Sequence, residues 1–309
     1  MKLTRRSLLR AGSAALAAGA LAPALPRRLW AGSTLTLGQM QVQTLSDGML
    51  VLPGDFILGG MPQEEMRAVM AKHGLSPDRL EAPVNVTLMR DGTNTVLFDV
   101  GSGPDFMPTA GKLMEAFEAA GVTPDEVTHV LFTHAHPDHL WGLLDDFDEP
   151  LFPNAEFVMG QTEFDYWMNP ETVNTIGQAR TTFAIGAKRR LEVIAEQIRL
   201  VADGDEVLPG VAAVLTAGHT PGHLAWELRS GSAAAMVLGD CIGNPHVGFE
   251  RPDWASGSDQ DPAMAAQTRL RLLDRLAGEQ MPIVGYHLPQ GGVGRAERAD
   301  GTYRFVAEV

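Results

Sequence analysis

Three histidines and one aspartate lie within six residues of one short segment. The segment reads Thr133-His134-Ala135-His136-Pro137-Asp138-His139, and it follows an apolar run typical of a β-strand. Imidazole and carboxylate groups are the usual ligands of zinc and similar divalent ions. His134 and His136 can face the same ion, because side chains two residues apart point the same way in an extended chain. Pro137 stiffens a turn that brings Asp138 and His139 to a second position, so the spacing predicts two adjacent metal ions.

Residues of the same chemical types recur in four other segments, each directly after an apolar run. These segments are Phe98-Asp99-Val100-Gly101, Gly218-His219-Thr220-Pro221-Gly222-His223, Leu238-Gly239-Asp240-Cys241 and Gly285-Tyr286-His287-Leu288-Pro289. Six of the nine histidines lie in these segments and the opening one, and only His73, His129 and His246 lie elsewhere. This concentration indicates one composite site assembled from strand ends.

The elements around these segments alternate between strand-like and helical patterns in both halves of the chain. Strand-like runs occur at 34–38, 41–45, 85–90, 95–100, 127–132 and 156–159, then at 198–201, 206–208, 211–216, 224–229, 234–238 and 282–286, with a last hairpin at 293–307. Helical spacing occurs at 62–72, 111–120, 162–168, 172–197 and 262–277. Strands flanked by helices in both halves predict two β-sheets packed face to face with helices outside, an α/β architecture.

Length and composition fit a globular protein and exclude some partners. The 309 residues suit one large domain or two small ones, and 45% of them are hydrophobic and 20% charged. The net charge is −14, and no Lys/Arg-rich patch follows the N-terminal segment, which argues against nucleic acid as a partner. Cys241 is the single cysteine, so an intrachain disulfide is impossible.

The N-terminal segment has the pattern of a twin-arginine signal. Arg5-Arg6 precedes a moderately apolar stretch rich in Ala, Gly and Leu, and Ala22-Pro23-Ala24 fits the small-x-small cleavage rule. We therefore predict a signal peptide at 1–24, a linker at 25–33, a catalytic domain at 34–309, and a periplasmic or secreted protein. The apolar stretch is short for a membrane span, although an uncleaved anchor or a basic disordered N-terminus is the alternative.

The ordered motifs resemble those of metallo-β-lactamase-fold hydrolases over nearly all of the chain after the signal. Within that superfamily the chain is most similar to the methyl parathion hydrolase-like group. Further segments carry this likeness, namely Leu45-Ser46-Asp47-Gly48, Phe152-Pro153-Asn154-Ala155 and Tyr303-Arg304-Phe305-Val306. The resemblance implies an αββα four-layer sandwich with two packed mixed β-sheets and helices outside. It also implies a possible homodimer.

The resemblance also implies how the ligands divide between two metal ions. One ion would be bound by His134, His136 and His219, the other by Asp138, His139 and His287, with Asp240 bridging both. The ions would be zinc, with manganese, iron or cobalt as alternatives. They would activate a bridging hydroxide, oriented by Asp138, to attack an ester, a lactone or a phosphotriester.

Four further residues have two interpretations each. Asp99 can orient a ligand histidine or be an ordinary turn carboxylate. His223 can be catalytic, by contacting the substrate, or can have a structural role. Trp167 matches in position an aromatic of the family's substrate pocket, but core packing is an equal interpretation. Cys241 is by default a small buried thiol, with metal ligation as the alternative.

Other activities on the same fold stay open. An iron-dependent oxidoreductase of the persulfide dioxygenase type shares the motif but uses one iron. A glyoxalase-type thioesterase shares His139 and the Gly-His-Thr-Pro-Gly-His segment, but no basic C-terminal helical domain for glutathione is evident. A non-catalytic metal or maturation factor is a third possibility. The ligands predict the reaction type with a small-molecule substrate, whereas the loops at 49–82, 162–190 and 242–261 do not reveal which substrate.

Overall fold

The computed structural model describes residues 31–308. The predicted signal at 1–24 and residues 25–30 of the predicted linker lie outside the described residues. Strand β1 (Ala31–Leu37) already includes positions 31–33, so the last part of the predicted linker belongs to the first sheet. Among the described residues, no helix combines the length and the apolar character needed to cross a membrane.

The first sheet contains seven strands in chain order. They are β1, β2 (Met40–Pro53), β3 (Arg79–Arg90), β4 (Thr95–Phe98), β5 (His129–Leu131), β6 (Glu156–Gly160) and β7 (Ile198–Val201). Strands β1 to β4 pair antiparallel, and β4 to β7 pair parallel. The sheet is therefore mixed, as predicted, and its parallel half carries β4 and β5, whose ends lead into the Asp99 segment and the opening motif.

The second sheet contains the other seven strands in reverse order. They are β8 (Glu206–Leu208), β9 (Val211–Leu215), β10 (Leu224–Ser230), β11 (Ala233–Val237), β12 (Pro282–Val284), β13 (Val293–Ala299) and β14 (Thr302–Ala307). All pairs are antiparallel except β11 with β12. The predicted final hairpin is confirmed as β13–β14, and its turn contains Asp300 and Gly301 with positive φ angles of 51° and 79°.

Nine helices complete the described part of the chain. They are α1 (Gly54–Leu58), α2 (Gln63–Lys72), α3 (Leu113–Ala120), α4 (Pro137–Leu140), α5 (Gln161–Met168), α6 (Thr172–Thr175), α7 (Thr181–Ile194), α8 (Val247–Glu250) and α9 (Pro262–Glu279). Short 3-10 turns lie at Pro124–Glu126, Trp141–Leu143 and Gln178–Arg180. The continuous helical region predicted at 172–197 is wrong. Gly177 has a φ of 94°, outside the helical region, and separates α6 from α7.

Three apolar layers show how the two sheets and the helices pack. Between the sheets, Phe98 of the first meets Trp226 of the second, with ring centroids 6.4 Å apart. Outside the first sheet, α3, α5 and α7 contribute buried residues to one core that includes Phe117, Trp167 and Leu191. Outside the second sheet, α9 packs through Leu272, Leu273 and Leu276. The predicted αββα four-layer sandwich is confirmed.

The segments with candidate ligands all leave strand ends at one edge of this sandwich. Asp99 follows β4, the opening motif follows β5, Asp240 follows β11 and His287 follows β12. The loop with His219 joins β9 to β10. Loops on a rigid scaffold are the usual place for binding groups, and this edge brings distant parts of the sequence together.

Candidate metal centre

Three imidazoles converge at the end of β5. His134 Nε2 lies 3.0 Å from His136 Nδ1, which lies 2.9 Å from His219 Nε2. All three side chains are buried. Nitrogens bound tetrahedrally to zinc at 2.0–2.1 Å would be about 3.3 Å apart, so this spacing is close to that of a ligand set. We call these residues the histidine group.

Four other side chains form an adjoining cluster, which we call the mixed group. It consists of Asp138, His139, Asp240 and His287. His139 Nε2 is 3.4 Å from Asp138 Oδ2 and 3.2 Å from Asp240 Oδ1. His287 Nε2 is 3.2 Å from one oxygen of each carboxylate. In each group the candidate ligand atoms lie within 4.8 Å of one another.

Local chain geometry explains how one short segment serves both groups. His136 is extended, with ψ of 159°, and Pro137 is the first residue of α4. Proline suits this position because it needs no amide hydrogen and its φ is already helical. The single turn of α4 then directs Asp138 and His139 into the mixed group, while the rings of His134 and His139 stay in contact with centroids 4.0 Å apart. Asp240 joins the groups, because its Oδ2 also lies 3.4 Å from His219 Nε2.

The polar atoms of the mixed group fit a bound cation. Asp138 Oδ2, His139 Nε2 and Asp240 Oδ1 are buried and make no hydrogen bond within the described part of the chain. Burying such atoms without a partner is costly, and a cation bound between them would remove that cost. Together with the donor types and spacing, this shows that the residues present fit the divalent ions that the sequence predicts.

The two groups differ in their electrostatics. Burial and neighbouring imidazoles lower the pKa of His134 and His136 well below the usual value. Burial also opposes protonation of His139, but the nearby carboxylates outweigh it and raise its pKa well above normal. Against the same burial, Asp240 and Asp138 raise the pKa of His287 to about 10. His134 and His136 therefore offer neutral lone pairs, whereas the mixed group strongly attracts positive charge.

Asp99 lies behind His139, where the sequence predicted an orienting carboxylate. Its Oδ2 accepts hydrogen bonds from His139 Nδ1 at 2.8 Å and from Thr133 Oγ1 at 2.7 Å. Its Oδ1 accepts from the Thr133 amide at 2.7 Å. Asp99 is fully buried and has a positive φ of 62°. Because His139 donates through Nδ1, its Nε2 faces the mixed group and is the nitrogen that would bind an ion after losing its proton.

Two residues that sequence reasoning missed orient the same group from the other side. The Tyr286 ring stacks on His139 with centroids 3.9 Å apart, and its hydroxyl donates to the Asp138 carbonyl at 2.6 Å. His287 Nδ1 donates to the Pro83 carbonyl at 2.8 Å. The position of Tyr286 directly before a ligand-type histidine was a usable signal. Pro83 gave none, since a backbone carbonyl can come from any residue.

Asp259 is a third missed residue, and it orients His219. Its Oδ1 lies 3.2 Å from His219 Nδ1, and its Oδ2 accepts from Arg269 Nη1 at 2.7 Å. Arg269 also donates to the carbonyls of Pro252 and Trp254, so this buried ion pair is well satisfied. Asp259 lies in an irregular segment, and no local pattern marked it.

The position of His223 does not support the predicted catalytic role. Its Nε2 accepts a hydrogen bond from the Asp240 amide at 2.9 Å, and its Nδ1 contacts Thr216 Oγ1 at 2.7 Å. The ring is fully buried and does not line the cavity beside the candidate ligands. With both nitrogens engaged, it cannot contact substrate. The structural alternative fits, since His223 fixes the backbone of Asp240.

The substrate contact predicted for Trp167 is wrong in this structure. Trp167 is 1% exposed, and its indole donates to Glu163 Oε1 at 2.6 Å. Its ring meets His136 edge-on, with centroids 5.7 Å apart, and does not line the cavity beside the candidate ligands. On α5 the side chains of residues 163 and 167 share one face, which points into the core. The core-packing interpretation therefore holds.

Replacing Trp167 by phenylalanine tests this placement. We expect the free energy of unfolding to fall by about 1–3 kcal/mol, because a buried charge-assisted hydrogen bond is lost. The KM for any substrate should stay within about twofold of wild type, since a residue outside the cavity contributes no uniform binding. Urea unfolding followed by steady-state kinetics measures both, and a rise in KM without lost stability would restore Trp167 to the substrate site.

Cys241 has its default role. Its thiol is buried, donates to the Leu238 carbonyl at 3.0 Å, and has a pKa raised by burial. It belongs to neither ligand group of the described residues. A protonated, buried thiol is a poor metal ligand, so we assign Cys241 to the core.

A cavity of about 550 Å³ opens onto both groups. His136, Asp138, His219, Asp240 and His287 line its floor. Phe106 and Phe183 form an aromatic wall, with ring centroids 6.1 Å apart, and the Phe183 centroid lies 5.8 Å from that of His136. An apolar arm extends away from the floor between residues of 50–82 and 243–254, namely Leu50, Ile57, Met61, Met70, Val247 and Trp254. The size suits a small-molecule ligand.

A family model and curated relatives match this chain. The model of the Metallo-beta-lactamase superfamily matches residues 79–282, more than half of the chain. Metallo-beta-lactamase domain-containing protein 1 of Xenopus laevis is 32% identical over 135 residues, which cover 44% of this chain and 52% of the relative. The N-acyl homoserine lactonase of Bacillus thuringiensis is 22% identical over 180 residues, covering 58% of this chain and 62% of the lactonase. The chain thus spans between about half and two thirds of these two relatives.

Solved structures match more of the chain. AidC, a dizinc quorum-quenching lactonase, has a TM-score of 0.84 and 22% identity, covering 91% of this chain and 98% of AidC. The hydrolase AbOPH of the beta lactamase superfamily has a TM-score of 0.83 and 26% identity, covering 91% of this chain and 99% of AbOPH. These likenesses agree with the sandwich and with a hydrolase. The assignment to the methyl parathion hydrolase-like group stays a prediction.

Proposed function

The chain belongs to the metallo-beta-lactamase superfamily, and from that premise we propose that it hydrolyses a neutral lactone or ester with two divalent metal ions. The observation that carries this proposal is the pair of adjoining ligand groups that share Asp240 and open onto one cavity. His134, His136 and His219 would bind one ion. Asp138, His139 and His287 would bind the other, with Asp240 shared.

When bound, such ions would supply Lewis-acid activation of water and of the substrate's electrophilic oxygen. The protein residues give that chemistry its geometry. Asp99 and the Pro83 carbonyl fix the tautomers of His139 and His287, so that each Nε2 faces the cavity floor. Asp138 and Asp240 provide negative charge where cations would bind. Asp138 also lines the cavity and could accept a proton or hydrogen bond from attacking water.

The cavity and the comparisons together support the proposed substrate class. Lining side chains of the apolar arm are mostly aliphatic or aromatic, and they suit an uncharged acyl or aryl group. Lactonases occur among both the sequence relatives and the structural neighbours. A phosphotriester is uncharged, like a lactone or an ester, and its phosphorus is also an electrophilic centre. It is therefore the second class of substrate to test. Zinc is the first metal to test, because AidC is a dizinc enzyme and the ligands are histidine and aspartate.

Metal quantitation paired with a substrate panel tests the proposal. We expect about two equivalents of zinc or manganese per chain after reconstitution. We also expect hydrolysis of acyl-homoserine lactones or aryl esters that stops after chelation and returns when metal is restored. An aryl phosphotriester completes the panel. One tightly bound iron with oxygen consumption, or metal loading without any hydrolysis, would contradict the proposal.

Replacing Phe183 by alanine tests the aromatic wall. We expect the KM for a substrate with a large apolar group to rise roughly tenfold, because a buried aromatic contact contributes about 1.5–3 kcal/mol. The kcat should change little, since this wall does not contact the reacting atoms. Phe147 is 84% exposed in a surface loop, so Phe147→Ala is the matched control. Unchanged KM in Phe183→Ala across a series of acyl lengths would exclude this wall from substrate binding.

We also propose that the protein is exported by the twin-arginine route. The Arg5-Arg6 pair and the apolar stretch after it support this proposal. Cell fractionation of wild type and of a variant with both arginines changed to lysine tests it. We expect the wild type in the periplasm or medium and the variant in the cytoplasm, and equal distribution of the two would contradict export by this route.

A further inference from the structure

Glu163 is a buried carboxylate in the first turn of α5 that the mechanism above does not use. It is fully buried and accepts four hydrogen bonds. Oε1 accepts from the Ala135 amide at 3.0 Å and from Trp167 Nε1 at 2.6 Å. Oε2 accepts from Thr220 Oγ1 at 2.7 Å and from the Gly222 amide at 3.1 Å. Glutamate is rarely buried, and here each carboxylate oxygen accepts two hydrogen bonds. This arrangement indicates a specific role for Glu163.

Three of the four donors lie on the two segments that carry the histidine group. Ala135 stands between His134 and His136 in the sequence, and Thr220 directly follows His219. These segments follow strands of different sheets, and at one end the Leu224 amide donates to the Thr133 carbonyl at 2.9 Å. Nearer to the ligands, the Glu163 carboxylate connects, through its two oxygens, the segment of His134 and His136 to the segment of His219.

Steric contact makes this connection short and rigid. A Cβ atom on Gly222 would lie 2.1 Å from the Glu163 amide nitrogen, so glycine allows the loop to lie directly against the backbone of α5. The helix start, the opening motif and the His219 loop are thus in contact at one point. A displacement of Glu163 would change the separation of His136 Nδ1 and His219 Nε2, which is 2.9 Å here.

The chemistry of the four partners requires a carboxylate. Every partner is a donor, so both oxygens must act only as acceptors. A glutamine would place an amide NH₂ against two of these donors and leave them unsatisfied. No ion pair among the described residues involves Glu163, so its charge is balanced by these hydrogen bonds.

We infer that Glu163 is a positioning residue for the histidine group. Its carboxylate sets the distance between the His134/His136 segment and His219, and thereby the affinity for the ion bound there. It touches neither the ions nor the substrate. This inference rests on the proposed two-ion site, but it concerns the affinity of one ion and not the reaction that follows.

Glu163→Gln is the principal test. We expect one of the two ions to bind about 10–100-fold more weakly, the usual effect of removing a group that orients metal ligands, while the other keeps its affinity. Zinc competition with a chromophoric chelator gives both affinities. Cobalt absorption spectra report the geometry of the weakened site. Asp165→Asn is the matched control, because Asp165 is exposed on the same helix and its side chain accepts a hydrogen bond from Gln161.

Two single-donor variants keep the test decisive if Glu163→Gln does not fold. Thr220→Val removes a donor on a ligand segment, and Trp167→Phe removes a donor on α5 that belongs to no ligand segment. Both take one hydrogen bond from the same carboxylate. We expect only Thr220→Val to lower the affinity for one ion. The loss should be about 5–10-fold, which corresponds to the net free energy of a single hydrogen bond.

Three results would overturn the inference. The first is a folded Glu163→Gln protein that binds both ions with wild-type affinity. The second is an equal loss of affinity for both ions in Thr220→Val and in Trp167→Phe, which would indicate a general loss of stability. The third is a wild-type protein that binds fewer than two ions, which overturns the two-ion proposal as well. The first two results leave that proposal intact.

Discussion

Replacing Asp240 by asparagine is expected to lower kcat/KM by at least roughly 100-fold, the loss typical of removing one preorganised electrostatic contact at a reaction centre. The side chain lies 3.2 Å from both His139 and His287 and 3.4 Å from His219. Asparagine has nearly the same size but a single oxygen and no charge. It cannot bridge two cations, so we expect the metal content to fall below two equivalents per chain.

The Asp240→Asn experiment needs a measure of folding beside the kinetics. Asp300→Asn is the matched control, because Asp300 is exposed in the β13–β14 turn and asparagine tolerates its positive φ of 51°. Circular dichroism and metal quantitation should be recorded for both variants. A folded Asp240→Asn protein with two bound ions and near-normal kcat/KM would show that Asp240 does not join the two groups.

Replacing Asp99 by asparagine should lower metal affinity at the mixed group by about 10–100-fold without contact to either ion. Asp99 accepts from His139 Nδ1 and from two donors of Thr133. An asparagine amide can instead donate to Nδ1, which moves the imidazole proton to Nε2. The nitrogen that faces the mixed group would then carry a hydrogen and could not bind a metal ion.

The backbone conformation at position 99 suits asparagine as well as aspartate. Asparagine is well tolerated at a φ of 62°, so the change alters hydrogen bonding more than conformation. Asp148→Asn is the matched control, because Asp148 is exposed and has the same φ. Chelator competition and NMR of the His139 ring protons would report affinity and tautomer. Wild-type affinity at both ions in a folded Asp99→Asn protein would assign Asp99 to the turn alone.

The fold was predictable because its signals are local. Alternating strands and helices indicated two sheets with outer helices, and the structure confirms that sandwich. Gly121 is one such local signal, since it directly follows α3 and has a φ of 67°, the left-handed conformation in which glycine commonly ends a helix. The helix predicted over 172–197 failed because apolar spacing continued across Gly177, whose backbone conformation ends the regular structure there.

The candidate ligands were predictable for a similar reason. Each lies directly after an apolar strand, in a short motif whose residue types already specify metal chemistry. For His223 and Trp167 the sequence left two interpretations each, because a residue's type does not reveal which way its side chain faces. His223 accepts a hydrogen bond from the Asp240 amide, and Trp167 faces the core, where it donates to Glu163 on the same helix.

The sequence by itself predicted two sheets with outer helices and candidate ligands after strand ends, and the family resemblance implied how seven of those ligands divide between two ions. Only the tertiary structure decided what orients those ligands and what shapes the cavity. Glu163 and Asp259 act on side chains or backbone far away in the sequence, so no local spacing could reveal them. The cavity wall combines residues of 50–82 and 243–254 with Phe106 and Phe183. The hydrophobic effect has no preferred direction, so the residues that meet in a cavity wall depend on the whole fold. Metal ligation depends instead on a few residue types at strand ends, which a short motif reveals.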